Sequence, residues 1–389
     1  MTTSTVIHSA RTIDADGEVD DFWVAFEGDS IAATGTGIGW EQLGIADVAD
    51  VVDAGGNCLA PGFIDLHGHG AGGFSFDDGA AAIASALATH RAHGTTRSVV
   101  SLVAGPVETL AASLSQIADL AESDPLVLGA HLEGPFLAPS RRGAHNPEFL
   151  IDPSPAVIDR LLDAARGHLR QVTIAPELPN ALEAIEILVE AGVIVAVGHT
   201  DATEAQTQDA FHAGARLLTH AFNAMPGIGH RAPGPVVAAL QDDRVTLELV
   251  LDGVHVHPHV ARLLFDAAPG RVALVTDSMA AAGTSDGRYA LGSLEVVVSD
   301  GRALLANADG TTGAIAGSTL TLDRALRIAT TSARQSVPVA VAALTATPAR
   351  VLGLEHRLGR LAPGYAADAV LLTGECDVLA VWAAGARLR

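Results

Sequence analysis

Two imidazoles one residue apart, His67 and His69, close an apolar run that starts at Leu59 (LAPGFIDLHGHG, 59–70), and glycines crowd around them. Side chains at i and i+2 of an extended segment point the same way, so the pair can close on one cation while Gly68 faces away. The chemistry such a pair offers is that of a divalent metal: polarising a carbonyl and activating water near neutral pH. An H-x-H step also occurs in ordinary surface turns. What separates the two readings is whether distant strands end in further ligands.

They do. Apolar runs later in the chain end at Glu133, His199, His220 and Asp277, each a residue type that ligates metal or moves protons. Taken singly, each has a plain structural reading: hydrogen-bonded core histidines, a helix-cap partner, a turn former. All six at the ends of strands is a pattern that the plain readings do not account for.

Bringing them together requires a fold that gathers strand ends. From Cys58 to Ser278 strand-like and helix-like segments alternate, with strands expected over Leu59–Leu66, Arg97–Leu102, Leu126–Leu132, Gln171–Ala175, Val193–Val197, Arg216–Thr219, Thr246–Leu251 and Val272–Thr276. Helix start signals lie between them, such as Pro106 before Val107–Glu122 and Ser154-Pro155 before Ala156–Ala165. Strands each followed by a helix imply an α/β fold of the (β/α)8 TIM-barrel type, whose catalytic groups sit at the carboxyl ends of the strands. A doubly wound open sheet is the competing architecture, but no glycine-rich dinucleotide fingerprint follows the first strand.

Outside this region the rhythm changes. Short β-like runs occupy residues 1–56 (Thr5–His8, Asp21–Glu27, Ser30–Ala33, Val48–Asp53) and 357–389 (Ala369–Leu372, Val378–Trp382), so the two ends are expected to combine into one small discontinuous β-sandwich flanking a catalytic barrel of residues 57–356. A hairpin-like insertion, Ser285–Ser318, interrupts the barrel pattern, turning at Ser299-Asp300-Gly301.

Composition removes other classes. The chain has 389 residues and a formal net charge of −22, the opposite of what phosphate backbones demand, so no nucleic-acid partner is expected. No apolar run approaches the ~20 residues of a membrane span, and the amino terminus has no basic stretch leading into an apolar core, so a cytoplasmic location is expected. Cys58 and Cys376 lack any paired spacing and are expected to be free. All 23 basic residues are arginine. A chain without lysine has no Schiff-base lysine, no P-loop lysine and no carboxylated lysine to bridge two metals, so any bridging ligand must be Asp or Glu.

The segments LAPGFIDLHGHG (59–70), GAHLEGPFLAPSRRGAHNP (129–147), VGHTDA (197–202), THAFNAMP (219–226), DGVHVHP (252–258), VTDSMAAAG (275–283) and AGSTLTLD (316–323) together resemble the N-acetylglucosamine-6-phosphate deacetylases of the amidohydrolase superfamily. The resemblance implies a barrel with a small β-sandwich. It implies removal of the acetyl group from N-acetyl-D-glucosamine 6-phosphate, giving D-glucosamine 6-phosphate and acetate, in amino-sugar catabolism and cell-wall sugar recycling. Carried over by position, Glu133, His199 and His220 hold the main metal. His67 and His69 match a pair that some branches keep and others replace, so one or two divalent ions per subunit are implied, zinc foremost and iron, cobalt or manganese as alternatives. Asp277 matches the catalytic acid/base that assists attack by metal-bound hydroxide, and His145 matches the residue that polarises the amide. Asn223, the Ala224 backbone, Arg231 and His255 match the phosphate contacts, with Arg231 reaching the neighbouring site of a homodimer. Ser278 departs from the pattern, which has alanine there. Two alternatives stay open at this level: another amidohydrolase acting on a cyclic imide or ureide, which would not need Asn223, Arg231 and His255, and a catalytically inactive scaffold relative.

Overall fold

The computed structural model describes residues 4–43, 50–307, 309 and 311–389; Val48 and Ala49 of the strand expected over Val48–Asp53, and two residues of the 285–318 insertion, lie outside these. The chain forms two compact units, Met1–Asp65 with His90–Arg97 and Leu322–Arg389, and Leu66–Thr89 with Ser98–Thr321. The helices Leu322–Thr331, Val337–Ala342 and Ala346–Val351, assigned to the barrel segment in the sequence division, fall in the first unit.

The eight expected strands are present as one sheet: β1 Phe63–Asp65, β2 Thr95–Val103, β3 Val127–Glu133, β4 Leu169–Ile174, β5 Ile194–Val197, β6 Leu217–Leu218, β7 Thr246–Val250 and β8 Val272–Val275, hydrogen-bonded in chain order. From β2 to β8 every neighbouring pair is parallel. The ring closes at the carboxyl rim, where the Asp277 N–H donates to the His67 carbonyl at 2.8 Å and the His69 N–H donates to the Ser278 carbonyl at 2.7 Å. The fold is a (β/α)8 barrel.

Helices α1 Ala80–Ala92, α2 Val107–Ser123, α3 Pro155–Ala165, α4 Ala181–Glu190, α5 Glu204–His212, α6 Gly234–Gln241 and α7 Pro258–Ala267 connect the strands. Their apolar positions recur at helical spacing. In α3 the buried residues are Ile158, Leu161 and Ala165, one stripe set on an otherwise polar helix that Pro155 opens. Each leucine so buried contributes about 1.5–3 kcal/mol. A capping box starts α5: Thr203 Oγ1 accepts the Gln206 N–H and Gln206 Oε1 accepts the Thr203 N–H.

The barrel interior holds a polar network. His131 bridges Ser101 Oγ and Thr173 Oγ1, both at 2.9 Å, and Thr173 meets Thr219 at 2.8 Å. Burial keeps the His131 imidazole well below its ordinary pKa. Such interiors are ordinarily filled by branched apolar residues.

Both chain ends meet in one sheet in the first unit. Cys58–Pro61 pairs antiparallel with Ala369–Leu372 near the carboxyl terminus and parallel with Ser4–Asp14 near the amino terminus. A core of Phe26, Leu59, Leu371 and Trp382 backs it, and Arg97 grips Asp368 through a buried two-point ion pair at 2.6 and 3.1 Å. The run Leu59–Leu66, expected as a single strand, is divided between this sheet and β1. Gly62 stands at the division, where a Cβ would collide with the Thr96 side chain. Cys58 and Cys376 are both free and buried.

The insertion is larger than a hairpin. Four antiparallel strands, Gly287–Leu291, Leu294–Ser299, Arg302–Ala306 and Thr312–Ile315, form their own sheet in the second unit. The expected turn is present, with Asp300 and Gly301 at φ 52° and 71°. Leu291, Val296 and Val298 pack with Met279 and Val103 beside the barrel rim.

Candidate active site

The strand ends deliver the six expected side chains to one rim. Glu133 is the last residue of β3, and His199, His220 and Asp277 each stand two residues beyond β5, β6 and β8. Those three take left-handed backbone, φ 46°, 27° and 44°. Such conformations are uncommon for non-glycine residues and cluster at sites where the surrounding structure enforces them. Gly143, at φ 55°, lets its loop pass His199 where a Cβ would sit 3.1 Å from the ring.

Glu133 is the centre of the cluster. Its Oε1 lies 3.0 Å from His220 Nε2, 3.1 Å from His199 Nε2 and 3.4 Å from His67 Nε2. Its Oε2 lies 3.1 Å from His69 Nε2 and 3.3 Å from His145 Nε2. Asp277 Oδ1 stands 3.5 Å from His69 Nε2 and 3.7 Å from His67 Nε2. The i, i+2 histidines do face one point, with their Nε2 atoms 3.1 Å apart.

Burial opposes charge on Glu133 and Asp277, yet His67 and other imidazoles beside them hold both well below the usual carboxylate range. Burial likewise opposes the imidazolium of His67, and Glu133, Asp277 and Glu248 outweigh it and raise that group well above its ordinary value. His69 is pushed up to about 9 by Asp277 and Glu133 against burial. The cluster is a buried, anionic ring of ligand atoms that favours positive charge at its centre.

A divalent cation fits it. The Nε2 atoms of His199 and His220 are 3.0 Å apart, and two imidazole nitrogens at that range cannot both carry a proton toward each other. Nitrogens ~2.0–2.1 Å from one tetrahedral ion lie roughly 3.3 Å apart. The donors group into two sets sharing Glu133, one of His67, His69, Glu133 and Asp277 and one of Glu133, His145 and His199.

His145 differs from the others. Its Nδ1 accepts the Ala104 backbone N–H at 3.2 Å, and burial depresses the ring to about 4. The neutral ring therefore carries its proton on Nε2, facing the cluster as a donor.

A cavity of about 330 Å³ opens over the cluster, within the usual size for a small-molecule site. Asn223, Ala224 and His255 line it together with His69, Glu133, His145, His199, His220 and Asp277, and Leu291 and Ile315 of the insertion form part of its wall. His255 Nδ1 is bound to Asp252 at 2.8 Å, which lifts the ring above its ordinary pKa against the effect of burial. Asn223 Nδ2 donates to the carbonyls of His220 and Ala221. His67 is fully buried beneath. Arg231 is exposed, pairs with His230 at 2.7 Å and does not line the cavity. Nearby, His257 serves as the cap of α7, its Nδ1 accepting the His259 N–H.

Sequence reasoning passed over Glu248 and Gln171. Both are fully buried, and Glu248 faces His67 Nδ1 at 3.1 Å. The available signal was a lone carboxylate in the apolar run TLELVL. Ser278, the departure noted above, braces the rim by donating to the Gly70 carbonyl at 2.9 Å.

The sequence matches the amidohydrolase family over residues 58–388. It is 37% identical to the N-acetylgalactosamine-6-phosphate deacetylase of Escherichia coli O157:H7, covering 98% of each chain. It is 36% identical to the Homo sapiens N-acetylglucosamine-6-phosphate deacetylase, covering 89% of this chain and 86% of that one. Among solved structures, a mutant N-acetyl-D-glucosamine-6-phosphate deacetylase from Mycobacterium smegmatis, in complex with N-acetyl-D-glucosamine-6-phosphate, superposes with a TM-score of 0.92 at 40% identity over 99% of both chains. With a family match across most of its length and relatives this similar along nearly all of it, the chain belongs to the amidohydrolase family.

Proposed function

We propose that this protein is a metal-dependent deacetylase that hydrolyses N-acetyl-D-glucosamine 6-phosphate to D-glucosamine 6-phosphate and acetate. The observation that carries the reading is one cavity joining the buried histidine and carboxylate cluster to Asn223, Ala224 and His255. A cyclic imide or ureide has no phosphate for such a rim to hold, and an inactive scaffold has no need of a complete donor set.

Glu133, His199 and His220 would hold the main ion, and His67 with His69, Glu133 being shared, would hold a second where two ions are bound. A divalent ion there, zinc foremost, supplies Lewis acidity and lowers the pKa of water toward neutrality. Asp277, held ionised, accepts a proton as water adds to the acetyl carbonyl and returns it to the amine nitrogen as the C–N bond breaks. His145 donates from Nε2 to the carbonyl oxygen, where negative charge grows. Its low pKa suits this: the ring stays neutral and keeps one proton to offer. Protonated His255, Asn223 and the Ala224 backbone take the phosphate. Arg231, outside its own chain's cavity, completes the site of a partner subunit in a homodimer.

Acetate release from N-acetyl-D-glucosamine 6-phosphate, from the unphosphorylated sugar and from a cyclic ureide tests the reading. Turnover of the amides, strongly favouring the phosphorylated one, is expected, and ureide hydrolysis without acetate release would overturn it. A second reading has specific support, since the E. coli relative matched from end to end is named for the galactosamine epimer. Running N-acetyl-D-galactosamine 6-phosphate in parallel decides between them by kcat/KM.

A further inference from the structure

The mechanism gives no role to the buried carboxylate of Glu248. Glu248 sits mid-strand in β7 and is 0% exposed, in a barrel interior that apolar side chains would ordinarily fill. Removing a carboxylate from water is strongly unfavourable unless its oxygens are hydrogen-bonded. Here they are. Oε1 accepts from Gln171 Nε2 at 2.8 Å, and Oε2 accepts the His220 backbone N–H at 3.3 Å and faces His67 Nδ1 at 3.1 Å.

That last contact has a chemical consequence. With His67 Nδ1 donating to Oε2, the ring's proton sits away from the cluster and the Nε2 lone pair faces His69, Glu133 and Asp277. The other cluster histidines are held differently. Among the described residues, His199 Nδ1 is hydrogen-bonded to the neutral Arg141 carbonyl, at 2.8 Å, and Nδ1 of His69 and of His220 has no hydrogen-bond partner. A carboxylate behind a ligating imidazole orients the ring and raises its basicity more than a carbonyl does.

We propose that Glu248 is a positioning residue for the His67/His69 half of the site, holding His67 in the ligating tautomer and so setting that half's affinity for a divalent cation. The proposal rests on the metal-dependent reading above.

Glu248→Gln tests it at constant size. If the new NH2 faces His67 it enforces the wrong tautomer, and if the amide oxygen does, the charge is gone. Zn²⁺ affinity of chelator-stripped protein, measured by competition with a chromogenic chelator, should fall about 10- to 100-fold. Because the effect runs through His67, the same substitution in a His67→Asn background should change affinity less than about twofold. Glu248→Asp, which keeps the charge but withdraws it from the ring, should weaken binding in the same His67-dependent way and serves if the glutamine variant does not fold. Unchanged affinity in folded Glu248→Gln, or an effect that persists in full without His67, would overturn the proposal while leaving the metal reading intact. Wild-type protein that takes up no Zn²⁺ would overturn both.

Discussion

The backbone N–H of Ala104 donates to His145 Nδ1 at 3.2 Å, which commits the other ring nitrogen to carrying the proton. A ring so fixed is a hydrogen-bond donor, although its Nε2 lies close enough to Glu133 and His199 to be grouped with ligands. His145→Ala should therefore keep its full metal content and lose about 10²–10³ in kcat, the usual size for one oxyanion donor. Metal lost in step with activity would make His145 a ligand instead.

His199 and His220 stand on the opposite footing, with Nε2 at 3.1 and 3.0 Å from the same Glu133 oxygen. His199→Asn or His220→Asn is expected to abolish both metal retention and turnover, with the circular dichroism spectrum unchanged because these side chains line a rim. Wild-type turnover in metal-free protein of either variant contradicts the assignment.

Asp277→Asn keeps the shape of the side chain and removes its ability to shuttle a proton. It should fold, retain metal and bind substrate, and lose on the order of 10²–10⁴ in rate. A rate within a few-fold of wild type places the proton transfer elsewhere.

The His255–Asp252 pair gives a pH dependence with a definite sign. Burial alone would lower the His255 pKa, but the hydrogen bond and charge of Asp252 raise it above the ordinary value near 6.5. A raised value carries the protonated ring to higher pH than a free imidazole, so phosphate affinity should be full at low pH and fall as pH rises through the raised pKa. KM for the phosphorylated sugar should climb as pH passes that pKa, and the climb should vanish in His255→Asn. A KM flat with pH in wild type removes His255 from phosphate binding.

Arg231 offers a test of assembly. Arg231→Ala should weaken binding of the phosphorylated substrate by roughly 10- to 150-fold, the loss of one charged hydrogen bond, and leave the unphosphorylated sugar unaffected. Mixing exchanged Arg231→Ala and Asp277→Asn subunits should create activity that neither parent shows at low substrate. An average of the parents, with exchange verified, would place Arg231 in its own site or in none.

The barrel and the gathering of six side chains on its rim were legible because the signals are local: an apolar run, its end, and a ligating residue just past it. What escaped notice depended on residues distant in sequence. Gly62 divides Leu59–Leu66 between two sheets because Thr96 lies against it, and no pattern within the run announces that neighbour. The insertion's turn was readable from Asp300-Gly301, whereas its outer strands are recognised only by their pairing. Glu248 was hidden by its strand, since a β-run is read by its apolar residues, and His67, 181 positions away, is what makes the carboxylate intelligible. Arg231 shows the reverse limit, a residue marked by its resemblance to a phosphate contact that the single chain leaves in solvent.

Hydrolysis of the acetamide is expected to require a cation held by Glu133 and the histidine cluster. The most direct measurement removes metal with a chelator, returns Zn²⁺ in measured steps, and records bound ion and acetate released from N-acetyl-D-glucosamine 6-phosphate at each step. Activity should be absent in stripped protein and rise with bound ion until the site is filled; full turnover by protein shown to contain no metal would contradict the account.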